Sequence, residues 1–212
     1  MTLPHVRLGD LRNVVVLAAA FVLLSSLWSR FSATRETRSL SAGQIKALRD
    51  GPARPLIFPG NYRDTVVLFL DYRCPYCAAL YPDIVRADAR YGVIVRHAID
   101  DRNSLRGQAA VAAECARRQG RFHAFSYALF SRRDSIGLLS WETFGVAAGV
   151  SQPDSLAQCI EHRATIGIVE DDSKLTRQLG VSGTPAAIYG GRIHVGPFSI
   201  LEMLRVLNSS RQ

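Results

Sequence analysis

The hydrophobic pattern opens with an apolar segment near the N-terminus. Seventeen uncharged residues lie between Arg12 and Arg30. This length is at the lower limit for a membrane-spanning helix and slightly long for the apolar core of a signal peptide. The following flank lacks the small residues that signal cleavage requires, whereas Trp28 is suited to a membrane interface. We therefore expect an uncleaved anchor over residues 14–29, behind an N-terminal flank of residues 1–13, with a cleaved signal segment as the alternative.

A polar tether and a short leading helix are expected over residues 30–60. Ser41-Ala42-Gly43-Gln44 has the spacing of a capping box, in which two side chains satisfy the first free backbone N–H groups of a helix. The helix is predicted to end at Gly51–Pro52. Residues 55–59, which are bounded by prolines, are predicted to form a short edge strand.

Strand and helix then alternate. Thr65–Tyr72 is a nearly continuous apolar run, which is typical of a strand buried on both faces. The next helix is predicted to begin at Cys74, and Pro82 within it predicts a kink or break near Ala79–Tyr81. The composition of Val93–Ile99 favours a second strand.

The second half of the chain is predicted to be helical before it returns to strands. Residues 104–163 are expected to form a helical insertion, and the flanking stretches 61–103 and 164–212 to form one α/β domain with a mixed sheet. The C-terminal stretch is predicted to contain, in order, a helix over Ala164–Leu179, strands over Ala186–Tyr189 and Arg192–Val195 joined by the Gly190–Gly191 turn, and a helix over Ser199–Leu207.

The chain is basic, but its basic residues are not gathered in one patch. The formal net charge is +8, from 26 Lys and Arg against 18 Asp and Glu, and five of the Arg residues fall within residues 1–40. The other basic residues are scattered, without the aromatic interleaving or the motifs of nucleic-acid-binding proteins. We therefore expect no nucleic-acid partner, and the charge favours solubility or contact with anionic lipid headgroups.

The strongest candidate for chemistry is Cys74-Pro75-Tyr76-Cys77, which follows a predicted strand and opens a predicted helix. Cysteines three positions apart at a helix start lie one turn from each other, so their thiols can form a disulfide with little backbone movement. Free N–H groups and the helix dipole stabilise a thiolate there, which makes Cys74 the expected nucleophile, and Arg73 favours the same charge. Cys77 is the expected resolving thiol, and Pro75 suits the first helical position because it lacks an N–H.

A metal site is the competing interpretation of this motif. Zinc sites need four ligands, usually from a second close pair of Cys or His residues. Cys115 and Cys159 stand apart, and the five His residues are scattered along the chain. We therefore expect no metal and no cofactor. A metallochaperone that binds Cu(I) through both thiols stays as an alternative, against which the absence of a Met-rich or His-rich segment counts.

Several motifs together carry a resemblance to a known family. Asp71–Cys77, Ala112–Ala116, Gln119–Phe122 and Leu179–Pro185 occur in the order found in DsbA-like thiol-disulfide oxidoreductases of the thioredoxin superfamily. The chain resembles that family over roughly residues 60–212. The resemblance implies a thioredoxin-like α/β fold with a helical insertion.

The resemblance also implies site residues. It implies a cis peptide bond between Thr184 and Pro185, in a loop that packs against the dithiol. Pro75 and Tyr76, together with that loop, are expected to contact the substrate, and the insertion over residues 104–163 is expected to border the substrate groove.

One position departs from the family pattern. Many thioredoxin-like proteins carry a buried Asp or Glu six residues before the first cysteine, where it relays protons to the resolving thiol. This chain has Leu68 there. Asp71 lies nearer the motif, but it is equally well interpreted as a turn carboxylate. The proton acceptor for Cys77 therefore stays open.

The two remaining cysteines indicate the cellular compartment in which the protein folds. Cys115 and Cys159 form an even remainder, and a structural disulfide between them would persist only in an oxidising compartment. Two buried free thiols are the alternative. Positive charges after the apolar segment would weakly keep that flank in the cytoplasm. DsbA-like proteins are exported as a class, so we expect an inner-membrane anchor with the catalytic domain in the periplasm, or a soluble periplasmic protein after cleavage.

Together these features predict a membrane-tethered thiol-disulfide oxidoreductase. It is expected to exchange its Cys74–Cys77 disulfide with cysteines of exported proteins, mainly as a disulfide donor, and to be recycled by a membrane redox partner. A reductase or isomerase of the same compartment is the alternative within enzymes.

Overall fold

A five-stranded mixed sheet organises the part of the chain that the structure, a computed structural model, describes: residues 36–51, 61–86 and 91–209. The strands are β1 (Glu36–Ser39), β2 (Asn61–Leu70), β3 (Tyr91–His97), β4 (Ala186–Tyr189) and β5 (Arg192–Val195). Their order in the sheet is β1-β5-β4-β2-β3. β2 and β3 run parallel, and the other neighbours run antiparallel. This is the mixed sheet that the sequence predicts.

The central strand β2 delivers the chain to the dithiol. Leu68, Phe69 and Leu70 are all buried. Because successive side chains of a strand point to opposite faces, three consecutive buried residues mean that both faces of β2 are covered. The strand begins at Asn61, before the predicted start at Thr65, because its backbone already pairs with β3 there.

The edge strand β1 lies where the sequence predicts a polar tether. Glu36 pairs with Val195 and Ser39 with Arg192, in antiparallel register with β5. An edge strand needs a backbone partner on one side only and buries few side chains. Its residues can therefore be polar, and a polar run does not predict a strand. The predicted strand over residues 55–59 and the predicted anchor over residues 14–29 lie outside the described residues. Within the described ranges, no helix combines the length and the apolar character that crossing a membrane requires.

Eight α-helices belong to the described ranges. They are α1 (Ala42–Asp50), α2 (Pro75–Arg86), α3 (Leu105–Arg117), α4 (Phe122–Ser131), α5 (Trp141–Ala147), α6 (Pro153–Glu161), α7 (Ile166–Gln178) and α8 (Ile200–Ser209). α1 begins with the predicted capping box, in which the Ser41 side chain accepts the N–H of Gln44 and the Gln44 side chain accepts the N–H of Ser41.

α2 continues through Pro82 as one helix. It is not broken near Ala79–Tyr81, where the sequence predicts a kink or break. Proline removes one backbone hydrogen bond from a helix. Leu80, Tyr81 and Ile84 are buried on the inner face of α2, and this packing holds the helix together across the missing bond.

The helical insertion comprises α3 to α6. A disulfide joins Cys115 in α3 to Cys159 in α6, with Cα atoms 5.8 Å apart. After α7 the chain forms the predicted hairpin of β4 and β5. Gly190 and Gly191 turn it with φ values of 54° and 69°, which glycine adopts without steric cost.

Two buried sets of side-chain hydrogen bonds attach β3 to neighbouring helices. Arg96 Nη1 donates to Asp172 Oδ1 of α7 at 2.9 Å. His97 Nε2 lies 2.8 Å from Glu114 Oε1 of α3, and Arg117 Nε donates to Glu114 Oε2 at 2.8 Å. Burial would raise the pKa of Glu114, but the hydrogen bonds and charges of His97 and Arg117 outweigh it and lower the pKa to about 2.

Candidate active site

The dithiol lies at the junction between the end of β2 and the start of α2. Pro75 is the first residue of α2, where its missing N–H costs no hydrogen bond. The Cys74 N–H donates to the Asp71 carbonyl at 3.0 Å, and the Cys74 carbonyl accepts the N–H of Ala78 at 3.1 Å. The turn therefore fixes Cys74 at the N-terminus of the helix.

The two thiols differ in exposure. Cys74 is 9% exposed, whereas Cys77, one turn further into α2, is 0% exposed. Pro75 and Tyr76, which separate them, are exposed on the surface. An approaching disulfide or thiol can therefore reach Cys74 before it can reach Cys77.

The loop before β4 lies against the dithiol. The peptide bond between Thr184 and Pro185 is cis. The Cys74 thiol donates to the Thr184 carbonyl oxygen at 3.2 Å. The structure therefore brings Thr184 to the first cysteine, while the Pro185 carbonyl accepts the N–H of Gly196 at 2.9 Å and ties the loop to β5.

The surroundings shift the two thiol pKa values in opposite directions. The pKa of Cys74 is lowered to about 6, mainly by a hydrogen bond from the Cys77 thiol. Burial opposes this shift, whereas the Thr184 side chain and the backbone N–H groups of Tyr76 and Cys77 add to it. Burial is the main cause that raises the pKa of Cys77 well above its ordinary value, and the hydrogen bond and charge of Cys74 act the same way. The hydrogen bond to the Thr184 carbonyl belongs to the protonated thiol of Cys74. At neutral pH that proton is lost, and the reduced site holds one thiolate, on Cys74.

Asp71 is the buried carboxylate at this turn. Its Oδ1 accepts the N–H of Arg73 at 2.8 Å, as expected of a turn carboxylate, and its Oδ2 lies 3.3 Å from Arg106 Nε. Burial raises the pKa of Asp71 although both interactions lower it. A polar cavity of about 180 Å³ extends from Asp71 past Asp100 to Thr184. Leu68, at the position where relatives carry a carboxylate, is buried in the hydrophobic core.

Aromatic side chains connect α2 to the insertion. The Tyr72 hydroxyl lies 2.8 Å from Ser126 Oγ, and the Tyr81 hydroxyl lies 3.1 Å from His123 Nδ1. The Phe130 ring contacts both tyrosine rings, at centroid distances of 4.9 and 4.8 Å. No local signal in the sequence marks Ser126, His123 or Arg106 as neighbours of the site, because the insertion reaches it only after folding.

Potential metal ligands are not clustered in the part of the chain that the structure describes. Within residues 36–51, 61–86 and 91–209, no group of three or more His, Cys, Asp and Glu side chains is arranged to hold a metal ion. Cys74 and Cys77 are the two cysteines outside the disulfide.

Comparison with known families agrees with this geometry. Residues 61–209 match the family described as Thioredoxin. The chain belongs to the thioredoxin family. The match includes the dithiol, the insertion and the loop of Thr184 and Pro185, so the motifs that carry the resemblance in the sequence all lie within the family's domain.

Solved structures show the same fold. The thiol-disulfide exchange protein alpha-DsbA2 of Wolbachia pipientis is 23% identical and superposes with a TM-score of 0.65 over 79% of this chain and 94% of that chain. A periplasmic thioredoxin-like protein of Salmonella enterica serovar Typhimurium is 25% identical, with a TM-score of 0.58 over 81% of this chain and 98% of that one. Family and fold together therefore assign this chain a thioredoxin-like domain, with the dithiol at the start of α2.

A curated relative has a different name and a longer chain. Na(+)/H(+) antiporter NhaA 1 of Mycolicibacterium gilvum is 26% identical over a gapped alignment of 219 positions, which covers 95% of this chain and 34% of the antiporter. The chain thus spans about a third of the length of this relative.

Proposed function

We propose that the protein donates its Cys74–Cys77 disulfide to pairs of cysteines in exported proteins. The observation that carries this proposal is the contrast between Cys74, which is 9% exposed at the N-terminus of α2 and hydrogen-bonded to Thr184, and Cys77, which is 0% exposed. These surroundings lower the pKa of Cys74 to about 6 and raise the pKa of Cys77 well above its ordinary value. Stabilising one thiolate stabilises the reduced form of the dithiol, and a stable reduced form makes the disulfide more oxidising.

The reaction proceeds in two exchanges. A client thiolate attacks Cys74 Sγ of the oxidised protein, the Cys74–Cys77 bond breaks, and Cys77 leaves as a thiolate that takes up a proton. A second client thiolate then attacks the client sulfur of the mixed disulfide. Cys74 leaves as the thiolate that its surroundings stabilise, and the client carries the new disulfide. Two electrons pass from the client to the protein.

Substrate contact is assigned to the surface around Cys74. Pro75 and Tyr76 are exposed beside the attacked sulfur, and Tyr76 is 40% exposed. Thr184 and Pro185 lie on the other side, since the Thr184 carbonyl is within hydrogen-bond distance of Cys74. An extended client segment held between these residues would place its sulfur in line with Cys74.

The compartment follows from the disulfide chemistry. A donor of disulfides needs an oxidising environment, and the second disulfide between Cys115 and Cys159 also persists there. We place the domain in the periplasm, held by an anchor over residues 14–29. A membrane redox partner reoxidises the dithiol after each turnover.

The reduction potential of the dithiol tests whether the protein donates disulfides or reduces them. Full-length protein is equilibrated with glutathione buffers, and the fraction of Cys74–Cys77 disulfide is measured by trapping free thiols. A potential above about −200 mV supports the donor, since DsbA lies near −120 mV and thioredoxin near −270 mV. A value near that of thioredoxin favours the reductase or isomerase. Metal content measured on the same protein tests the Cu(I) metallochaperone, for which one bound Cu(I) per dithiol is expected.

A further inference from the structure

The helical insertion carries a groove that none of the active-site residues lines. It has a volume of about 550 Å³ and is formed by the start of α5 and the outer side of α6. Its lining includes Trp141, Pro153, Leu156, Ala157 and Ile160. Concave, mostly apolar sites of this size are typical of binding sites.

Carboxylates border this groove. Glu142, Asp154 and Glu161 contribute to its lining and are exposed to solvent, and no Lys or Arg lines it. The salt bridges formed among the described residues include none of these three carboxylates. In a chain with a net charge of +8, the groove is thus a local region of negative potential.

Three apolar residues close to Trp141 in the sequence are exposed. Leu138 is 83% exposed, Leu139 is 39% exposed and Val146 is 74% exposed. The indole of Trp141 packs against Phe144 with ring centroids 6.0 Å apart, so it is held in place rather than free to rotate.

The groove is formed in advance of any ligand. Cys159 lies in α6 between the lining residues Leu156 and Ile160, and its disulfide ties α6 to Cys115 in α3. A rigid wall loses little conformational entropy on binding, which favours affinity.

We propose that this groove binds an extended polypeptide segment in which an Arg or Lys side chain lies next to an apolar side chain. The apolar side chain packs between Trp141 and Ile160. The cation lies over the indole face or beside Glu142 and Glu161, where both cation–π attraction and charge favour it. The proposal is independent of thiol exchange, since it involves no cysteine of the client.

The test uses full-length protein and a fluorescein-labelled, cysteine-free peptide of alternating Leu and Arg, followed by fluorescence anisotropy. Saturable binding is expected, at least tenfold weaker for the same peptide with Glu in place of Arg or Ser in place of Leu. Added salt should weaken the binding, because the carboxylates are exposed.

Matched variants locate the site. Glu142→Gln combined with Glu161→Gln should weaken the Arg peptide about three- to tenfold, since exposed charge pairs contribute modestly. Asp83→Asn combined with Asp134→Asn removes two exposed carboxylates elsewhere and should leave binding unchanged. Ala157→Arg, at an exposed helical position of the groove, should abolish binding. All variants should keep wild-type thiol exchange and the wild-type circular dichroism spectrum.

Three outcomes would overturn the proposal. Equal binding of the Arg and Glu peptides would indicate non-specific apolar contact. Intact binding in Ala157→Arg would place the peptide elsewhere. A dimer in analytical ultracentrifugation that becomes monomeric on Ala157→Arg would assign the groove to a second copy of the chain.

Discussion

The thiol of Cys74 donates a hydrogen bond to the backbone carbonyl of Thr184 at 3.2 Å, although 110 positions separate the two residues in the chain. The sheet register explains their proximity. β2 and β4 are antiparallel, with Phe69 opposite Ala186, so the residues that follow β2 meet the residues that precede β4 at the same end of the sheet. The active site is therefore assembled from two distant segments by one strand pairing.

The two cysteines are expected to have separate roles. Cys74→Ser should abolish disulfide transfer, because it removes the sulfur that the client attacks. Cys77→Ala should accumulate mixed disulfides with a client that carries a disulfide: the Cys74 thiolate attacks one client sulfur, the client disulfide breaks with release of the other client thiolate, and no Cys77 thiol remains to resolve the product. Non-reducing electrophoresis detects both effects, with a reduced client for Cys74→Ser and a disulfide-bonded client for Cys77→Ala. Faster alkylation of Cys77 than of Cys74 in the reduced wild-type protein would show that the roles are reversed.

The pH dependence follows from the thiol pKa values. Alkylation of Cys74 should have its midpoint near pH 6, with the rate falling as the thiolate is protonated at lower pH. Above that midpoint, reduction takes up two electrons and one proton, so the potential should change by about 30 mV per pH unit. Below it, two protons are taken up and the slope should double. A slope of about 60 mV throughout pH 5 to 8 would show that Cys74 is not a thiolate at neutral pH.

The Thr184 side chain is expected to lower the pKa of Cys74. Thr184→Val keeps the shape and the backbone carbonyl but removes the hydroxyl that helps to lower the pKa of Cys74. The pKa should rise, and the alkylation rate at pH 6 should fall about two- to tenfold. Ser182→Ala, in the same loop, is the matched control and should have no such effect. An unchanged Cys74 pKa in Thr184→Val would assign the lowered value to Cys77 and the helix N-terminus alone.

Glu114 is expected to stabilise the fold. Glu114→Ala leaves the buried His97 and the partly buried Arg117 without their carboxylate. It should lower the free energy of unfolding by about 3 to 5 kcal/mol, measured in urea at pH 7. Glu161→Gln, at an exposed position, should cost less than about 0.5 kcal/mol.

The pH profile of stability provides an independent check. The folded pKa of Glu114 is lowered to about 2 from an ordinary 4.5. Its contribution is therefore fully present above pH 4.5 and is lost as the pH falls towards 2, by roughly 3 kcal/mol. Glu114→Ala should lack this part of the acid-dependent loss. If it follows the wild-type profile over that range, other carboxylates cause the loss.

The disulfide of the insertion is expected to be structural. Cys115 and Cys159 are separated by 44 positions, and cross-linking a loop of this size stabilises by about 4 kcal/mol in the chain-entropy treatment. Replacing both with Ala should lower the free energy of unfolding by an amount of that order and leave the potential of Cys74–Cys77 unchanged. Non-reducing peptide mapping should recover the two residues linked. Recovery of both as free thiols from protein made in an oxidising compartment would exclude the bond.

The sequence by itself determines the strands β2 to β5, most helices and the identity of the reactive pair. These features are local, since the apolar run of β2, the capping box at Ser41, the two-glycine turn and the four residues from Cys74 to Cys77 each act within a few positions. Local propensity and spacing are sufficient to specify them.

Tertiary structure alone decides what surrounds those elements. β1 is recognisable only from its backbone pairing with β5, and the continuity of α2 through Pro82 depends on the packing of its inner face. Arg106 contacts Asp71 in the turn before the dithiol, and no local pattern in the sequence connects these two residues. The contact between Thr184 and Cys74 is implied by the family resemblance, whereas no local pattern specifies it. The pKa of a thiol depends on burial and on charges in three dimensions, so the contrast between Cys74 and Cys77 exists only in the folded chain.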